Sequence, residues 1–476
     1  MHLVRHVAPL DLRAVGAYLG VALQLLGVLL LLPLGVALIA REFGEAALFA
    51  AAAAGSFALG GLAARRRPPA LGLKEGLVVT ALAYLAFGLL GAVPFLTRTS
   101  FVNAFFESMS GFTTTGLSVL DPEALPRSLV FFRAYAQWLG GAGIVVLSLA
   151  VLLRSGPAAF RLYASEYGEE NLVGSVIATA RVVLGVYLLL TALGFLGLIA
   201  AGLGPWDALL HALAALSTGG FSPYAESVGR FPSPSVPLAV LGGMLLGAVS
   251  FPLYWRARRD GPVVLAGDAQ LRLLLGLLVV GTLALWGLAG WRVQELLPAL
   301  FHSASALTTA GFQLGDPATW PEGSTPWVIG LMVLGGSAGS TAGGLKLFRL
   351  ILLFKLAHRL VVRALLPEEA KVPVKLQGVA VPERELELVA GFFALYAGWL
   401  SISTLLLGLA GFSLEKALFE SASALGTVGL SLGVTSPELA GWAKLVLILD
   451  MWAGRLEILP VLVLLYPGTW LARARS

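Results

Sequence analysis

Four stretches decide the fold: FFESMSGFTTTGLS at 105–118, LLHALAALSTGGFS at 209–222, LFHSASALTTAGFQ at 300–313 and LFESASALGTVGLS at 418–431. They align without gaps. Each carries Thr-x-Gly followed by Leu or Phe: Thr114-Thr115-Gly116, Thr218-Gly219-Gly220, Thr309-Ala310-Gly311 and Thr427-Val428-Gly429. Nine residues before each glycine stands Glu107, His211, His302 or Glu420. Small residues fill the helical positions between. A single Thr-x-Gly is worth almost nothing as a signal; four copies in register are a strong one.

Each stretch lies between two long apolar runs. The first members start near 73, 176, 271 and 385, and their partners near 128, 235, 326 and 438. Two further runs precede them, at about 15–40 and 44–64, ending in Arg65-Arg66-Arg67. A helix needs about 20 apolar residues to cross the hydrocarbon core, so each long run is a span. The four short segments (101–117, 206–221, 296–312 and 415–430) hold roughly 12 helical residues each, too few to cross at about 1.5 Å per residue. They are re-entrant. The expected fold is all-α and integral to the membrane, with about ten transmembrane helices. Two extra N-terminal helices (1–68) precede four pseudo-repeated span–pore-loop–span units around a central pore, at 69–160, 161–260, 261–375 and 376–476.

Composition agrees. Of 476 residues, 58% are hydrophobic and only 12% charged, and the mean hydropathy is +0.86; a soluble domain carries about twice that charged fraction. The absence of cysteine excludes disulfides, thiolate metal ligands and cysteine nucleophiles. The net charge of +5 reads as cytoplasmic lysine and arginine, not as a nucleic-acid surface. The N-terminus reads as an uncleaved first span, not a secretory signal. In the ten-span arrangement, Arg5, Arg13, Arg65, Arg66, Arg67, Lys74, Arg154, Arg161, Arg256, Arg258, Arg259, Arg359, Arg363, Lys371, Lys375, Arg473 and Arg475 share one side. Arg41, Arg98, Arg127, Arg230 and Arg292 lie on the other. The richer side is cytoplasmic. Both termini then lie inside, and the four short segments enter from outside.

The loops have a chemistry. Irregular backbone is tolerated at membrane depth only where it lines a cavity or is buried in protein. Glycine takes φ > 0, so Gly116, Gly220, Gly311 and Gly429 let carbonyls turn toward a common axis. Rings of carbonyl oxygens replace the hydration shell of a bare cation. Short helices pointing their C-terminal ends at the pore centre favour a cation there through their dipoles. The residues nine before each glycine are expected to hydrogen-bond at the pore helix rather than to bind the ion. Further on, GGSAGSTAGG at 335–344 interrupts a span, where glycine costs a helix roughly 1 kcal/mol per residue. The spacing of Gly339 and Lys346 does not make a phosphate-binding loop: the lysine is one place too far, no Ser or Thr follows, and no βαβ context exists. Arg455 lies within the last span, where an arginine is costly and faces an interior or an aqueous path; Asp450 and Glu457 are its expected partners. There is no HExxH, metal cluster or nucleophile–base pair to support a membrane enzyme.

With these stretches in view, the chain resembles the TrkH/KtrB superfamily of potassium transporters, over almost its whole length. Besides the four loops, the resemblance rests on WLGGAGIVVLSLAVL (138–152), GGSAGSTAGGLKLFR (335–349) and AGRLEILPVLVLL (453–465). The two extra N-terminal spans resemble the TrkH branch. The resemblance implies K+ uptake across the inner cell membrane, with K+ as the transported ion and no organic cofactor. It implies a filter built on Thr114, Thr115, Gly116, Thr218, Gly219, Gly220, Thr309, Ala310, Gly311, Thr427, Val428 and Gly429. It implies an intramembrane gating loop with Gly335, Gly336, Gly339, Gly343, Gly344 and Lys346, and Arg455 in the pore opposite it. Glycine in the first loop goes with potassium selectivity and serine with sodium permeation. Expected partners are a second copy of the chain, a cytosolic ring of nucleotide-binding RCK subunits and membrane lipid, with 154–161, 256–259 and 355–375 as docking surfaces. The other reading of the residues is a sodium-permeable or ion-coupled pathway on the same scaffold.

Overall fold

The computed structural model describes residues 10–63, 71–155, 176–367, 370, 372–376 and 379–470. Among these, almost all regular structure is helical. The first helices are α1 (Leu12–Leu29), α2 (Leu31–Ile39) and α3 (Phe43–Ala63). The first unit has α4 (Leu73–Ala92), α5 (Phe101–Phe112) and α6 (Arg127–Ser155); the second has α7 (Val176–Ala200), α8 (Pro205–Leu216), α9 (Ser235–Ala248) and α10 (Phe251–Asp260). The third has α11 (Ala269–Leu288), α12 (Leu296–Leu307), α13 (Ser324–Leu334) and α14 (Leu347–Ala364). The fourth has α15 (Glu383–Leu409), α16 (Leu414–Leu425), α17 (Gly441–Arg455) and α18 (Leu459–Leu465). A two-stranded pair, Lys375–Leu376 with Val379–Ala380, links the last two units.

Six helical stretches are long and apolar enough to cross a bilayer among the described residues: Leu12–Ile39, Phe43–Ala63, Leu73–Thr97, Ala180–Ala200, Ala269–Leu288 and Glu383–Leu409. The short helices α5, α8, α12 and α16 are different. Their second halves are buried on every side, as in Ala104–Phe112 and Leu210–Leu216. A helix apolar all round belongs in the middle of a protein. Each packs against the preceding long helix of its own unit and against the helix that follows.

The second spans depart from the sequence reading, which placed a break only at 335–344. In the second unit α9 and α10 meet at 88°. Val249 between them is extended and Pro252 opens α10, so the i→i−4 ladder cannot run through. In the third unit 335–346 separates α13 from α14, and in the fourth α17 stops at Arg455. Glu457 and Ile458 then take left-handed backbone, φ 57° and 62°, before Pro460 restarts the helix as α18. Only α6 carries its backbone unbroken from Arg127 to Ser155.

Arg5, Arg65, Arg66, Arg67, Arg161, Lys371, Arg473 and Arg475 lie outside the described residues, as do both termini and the expected seams near 68 and 160. The side chain of Arg154 is also outside them.

The N-terminal helices are tied to the first unit. Glu45, 4% exposed, pairs with Arg98 at 2.7 Å. Glu42 accepts from the backbone N–H of Arg127 at 2.8 Å and of Ser128 at 2.9 Å, capping α6 from 85 residues away. A carboxylate at a helix N-terminus satisfies orphan donors and opposes the helix dipole. Glu42→Ala is therefore expected to lower the thermal transition of purified protein, by the equivalent of about 1 kcal/mol. Ion selectivity should stay as it was. An unchanged transition would mean the cap contributes nothing.

Candidate functional site

Each of the four short helices ends the same way. The last residues donate back in a Schellman arrangement. Thr114 N–H bonds Gly111 O at 3.0 Å and Thr115 N–H bonds Ser110 O at 2.9 Å. The same pair of bonds recurs from Thr218 and Gly219, from Thr309 and Ala310, and from Thr427 and Val428. The residue after the cap is usually glycine, because its φ is positive. Here it is threonine: φ is 55° at Thr114, 52° at Thr218, 56° at Thr309 and 52° at Thr427. A non-glycine residue held there costs about 1–3 kcal/mol and persists only when its surroundings over-determine it. Two residues on, φ is again positive at Gly116 (87°), Gly220 (81°), Gly311 (73°) and Gly429 (99°). The four loops thus share one unusual backbone course.

The glycines also show how the loops meet. A Cβ on Gly116 would overlap the carbonyl oxygen of Gly219. On Gly220 it would overlap that of Ala310, on Gly311 that of Val428, and on Gly429 that of Thr115. Each loop therefore touches the next in chain order, and the fourth returns to the first. That ring brings the four Thr-x-Gly triplets together. The threonines are fully buried. Thr218 Oγ1 donates to Ser217 O at 2.7 Å, and Thr309 Oγ1 accepts from Gly343 N–H at 2.7 Å. Thr114 Oγ1 and Thr427 Oγ1, in adjoining loops, have no hydrogen-bond partner among the described residues.

The residues nine before each glycine hold the chain as it leaves the ring. Glu107 accepts from Ser118 Oγ at 3.0 Å and Val119 N–H at 3.2 Å. His211 Nε2 lies 3.3 Å from Ser222 Oγ, and His302 Nε2 accepts from Leu314 N–H at 3.1 Å. Glu420 accepts from Ser431 Oγ at 2.9 Å and Thr435 N–H at 2.9 Å. Two supports escaped the sequence reading. Arg133 in α6, 3% exposed, donates to Glu107 at 2.6 Å and to Ser222 O at 3.2 Å, so it braces the first loop against the second. Gln137, one turn on, donates to Gly219 O at 2.5 Å and accepts from Phe221 N–H at 3.1 Å. Both announce themselves as polar residues inside an apolar span.

Residues 335–346 pack against the same ring. The segment folds back on itself, with Leu345 N–H to Val333 O and Leu347 N–H to Gly336 O, both 2.9 Å. Gly335, Gly339 and Gly344 have φ of 72°, 70° and 71°, and Lys346 of 70°. Gly336 lies against the Ala248 carbonyl, and Phe251 N–H bonds Gly339 O at 3.0 Å. Thr341 Oγ1 donates at 2.9 Å to Leu216 O, the end of the second pore helix. Gly343 donates to Thr309 of the third loop and lies against Gly426 and Thr427 of the fourth. Lys346 folds over the segment, donating to Ala342 O.

Arg455 does not pair with Asp450 or Glu457 as expected. Its guanidinium donates to Thr341 O and to Gly140 O, both at 2.8 Å, linking 335–346 to α6. Asp450 is held by Trp399 Nε1 at 2.9 Å and by Ser403 Oγ, while Glu457 pairs with Arg349. The reason is reach: Asp450 lies on the face of α17 turned to α15, and the break at 456–458 carries Glu457 toward α14.

A family model described as a cation transport protein, TrkH, matches residues 48–260 and 291–468. The Trk system potassium uptake protein TrkH of Salmonella typhimurium is 34% identical over 96% of this chain and 99% of its own length. A protein named as an uncharacterised cation transporter of Methanocaldococcus jannaschii is 32% identical over 95% of each. The crystal structure of the potassium transporter TrkH from Vibrio parahaemolyticus superposes with a TM-score of 0.87 at 30% identity, covering 97% of this chain and all of that one. With a family match over most of its length and relatives above 30% identity end to end, the chain belongs to the TrkH family of cation transport proteins.

Proposed function

We propose that this chain is the pore-forming subunit of a Trk-type system that takes K+ up across the inner cell membrane. The observation that carries the reading is the closed ring of four loops, each glycine set against the carbonyl of the next. A dehydrating cation needs oxygen ligands all round it. The carbonyls and hydroxyls of Thr114, Thr115, Gly116, Thr218, Gly219, Gly220, Thr309, Ala310, Gly311, Thr427, Val428 and Gly429 are that supply. The free hydroxyls of Thr114 and Thr427 support it, because a buried polar oxygen without a partner costs about 1–3 kcal/mol unless something binds it. K+ is cargo here, and the chain needs no organic cofactor. Segment 335–346 is the gate, with Gly335, Gly336, Gly339, Gly343, Gly344 and Lys346 shaping it and Arg455 holding it. The units 69–160, 161–260, 261–375 and 376–476 are the repeats that bring the four loops together. Relatives named for a Trk system support a multi-component assembly. In it two copies of this chain meet a cytosolic RCK-type nucleotide-binding subunit at the basic face that also holds both termini.

The direct test is cation flux in liposomes with K+, Rb+, Na+ and Li+ compared. K+ and Rb+ should pass well ahead of Na+ and Li+; equal passage of all four sinks the reading. Gly116→Ser should cut the K+/Na+ flux ratio by about tenfold, since strain of about 1–3 kcal/mol falls on the ring itself. Unchanged selectivity in well-folded protein would remove Gly116 from the filter.

Arg455→Gln should raise K+ flux. A unit charge about 7 Å from a cation costs on the order of 2 kcal/mol at an effective dielectric near 20, and the substitution also weakens the tie to Thr341 O. Glutamine strands no carboxylate, because among the described residues Arg455 has none bonded to it. Flux equal to the parent's in a variant that folds as well would make Arg455 structural.

A further inference from the structure

Among the described residues Asp450 bonds to Trp399 and Ser403, not to the four loops or to 335–346. It is 1% exposed, five residues before the end of α17, in the second expected span of the fourth unit. A carboxylate at that depth normally meets a cation or an aqueous path. Asp450 meets neutral groups: Trp399 Nε1 donates to Oδ1 at 2.9 Å, and Ser403 Oγ reaches Oδ2. The hydroxyl of Tyr396, buried on the same helix α15, has no hydrogen-bond partner among the described residues.

Several of the other charged and titratable groups on the elements around α17 are engaged elsewhere. On α16, Glu420 holds Ser431 and Thr435; on α5, Glu107 pairs with Arg133. On α4, Tyr84 donates to Gly140 O. On α17 itself, Lys444 donates to Asn103 and Pro437 O, and Arg455 to Thr341 O and Gly140 O. The stretch Leu459–Leu465 of α18 has no titratable side chain.

Ser403 Oγ also lies 3.1 Å from Ser421 Oγ on the fourth pore helix. A hydroxyl has one proton to give, so Ser403 donates to Asp450 or to Ser421, never to both. The Ser403 proton therefore has two alternative acceptors. With Asp450 ionised, Ser403 donates to the carboxylate. With Asp450 protonated, its own O–H donates to Ser403, and Ser403 to Ser421. The Ser403 proton has an acceptor either way, Asp450 in one state and Ser421 in the other. A buried hydroxyl that can serve the group in either charge state suits a group that changes charge; a purely structural carboxylate needs only one arrangement.

We propose that Asp450 is a proton-binding site built into the last span, and that its occupancy biases the 335–346 segment through α17. The carboxylate takes a proton from water and becomes a neutral acid; removing the charge changes how α17 sits between α15 and α16. Arg455, at the end of the same helix, passes the change to Thr341. This second half rests on the gating role proposed above.

Two readouts on the full chain in liposomes separate the halves. Infrared difference spectra should show a carboxylic-acid band that titrates with pH in the parent and is missing in Asp450→Asn, which keeps the size and hydrogen-bonding capacity of the group. K+ flux should vary several-fold with pH in the parent and lose that variation in Asp450→Asn. Ser403→Ala takes away a donor to the charged form, so band and flux midpoints should move together to higher pH. No titrating band assigned to Asp450 overturns the proton site, whatever the flux does. A titrating band with an unchanged flux profile in Asp450→Asn overturns the link to the gate and leaves the filter reading standing.

Discussion

Four glycine α-carbons each lie against a backbone carbonyl of the next loop, and the circle closes on itself. No side chain fits in those contacts. The loops must therefore arrive at the axis at matching height, from helices of matching length, and the rest of the chain is arranged to deliver them. α5, α8, α12 and α16 are each 12 residues long. Each ends in a left-handed threonine, and each is pinned beyond the ring by the side chain nine before its glycine. Strain of about 1–3 kcal/mol at each threonine is tolerable because three independent constraints act on every loop: the Schellman bonds, the neighbouring carbonyl and the clamp from Glu107, His211, His302 or Glu420.

The ring was legible in the sequence because its demands are local. Positive φ asks for glycine at a fixed distance from a helix end, and a 12-residue helix between long apolar runs has nowhere to go but back out. Expected segments 101–117 and 296–312 contain helices Phe101–Phe112 and Leu296–Leu307, and Pro205–Leu216 and Leu414–Leu425 start one residue before 206–221 and 415–430. What could not be read is what depends on contact at long range. Arg455 meets Thr341 across 114 residues and Gly140 across 315. Its nearest acidic neighbours in sequence are bonded to other groups, since the break after α17 turns Glu457 away. The bends at 249–250 and 456–458 were hidden for another reason. Each is marked by little more than a single proline, Pro252 or Pro460, whereas 335–344 advertises its break in composition.

The broken second spans follow from the ring as well. Below four converging loops an unbroken helix cannot cross the axis, but extended or left-handed backbone can pack there if its polar groups are met. The 335–346 segment meets that condition with bonds to Val333, Ala248, Gly247, Leu216 and Thr309. Arg455 adds the tie to α6, whose Gly140 accepts both it and Tyr84. The segment is thus bonded to the second, third and fourth units, and Arg455 ties it on to the first.

The ring is made by one chain, and this bears on how its properties can change over generations. In a channel assembled from four identical subunits, one codon alters every quadrant at once, so most changes at the filter are all or nothing. Here a codon alters one quadrant. The chain already shows the latitude this allows: acidic clamps in the first and fourth loops, histidines in the second and third, a glutamine brace on the second alone, and Thr, Gly, Ala and Val at the middle position of the triplet. Such a pore can drift in permeability by quarter steps, each tested by selection before the next is taken.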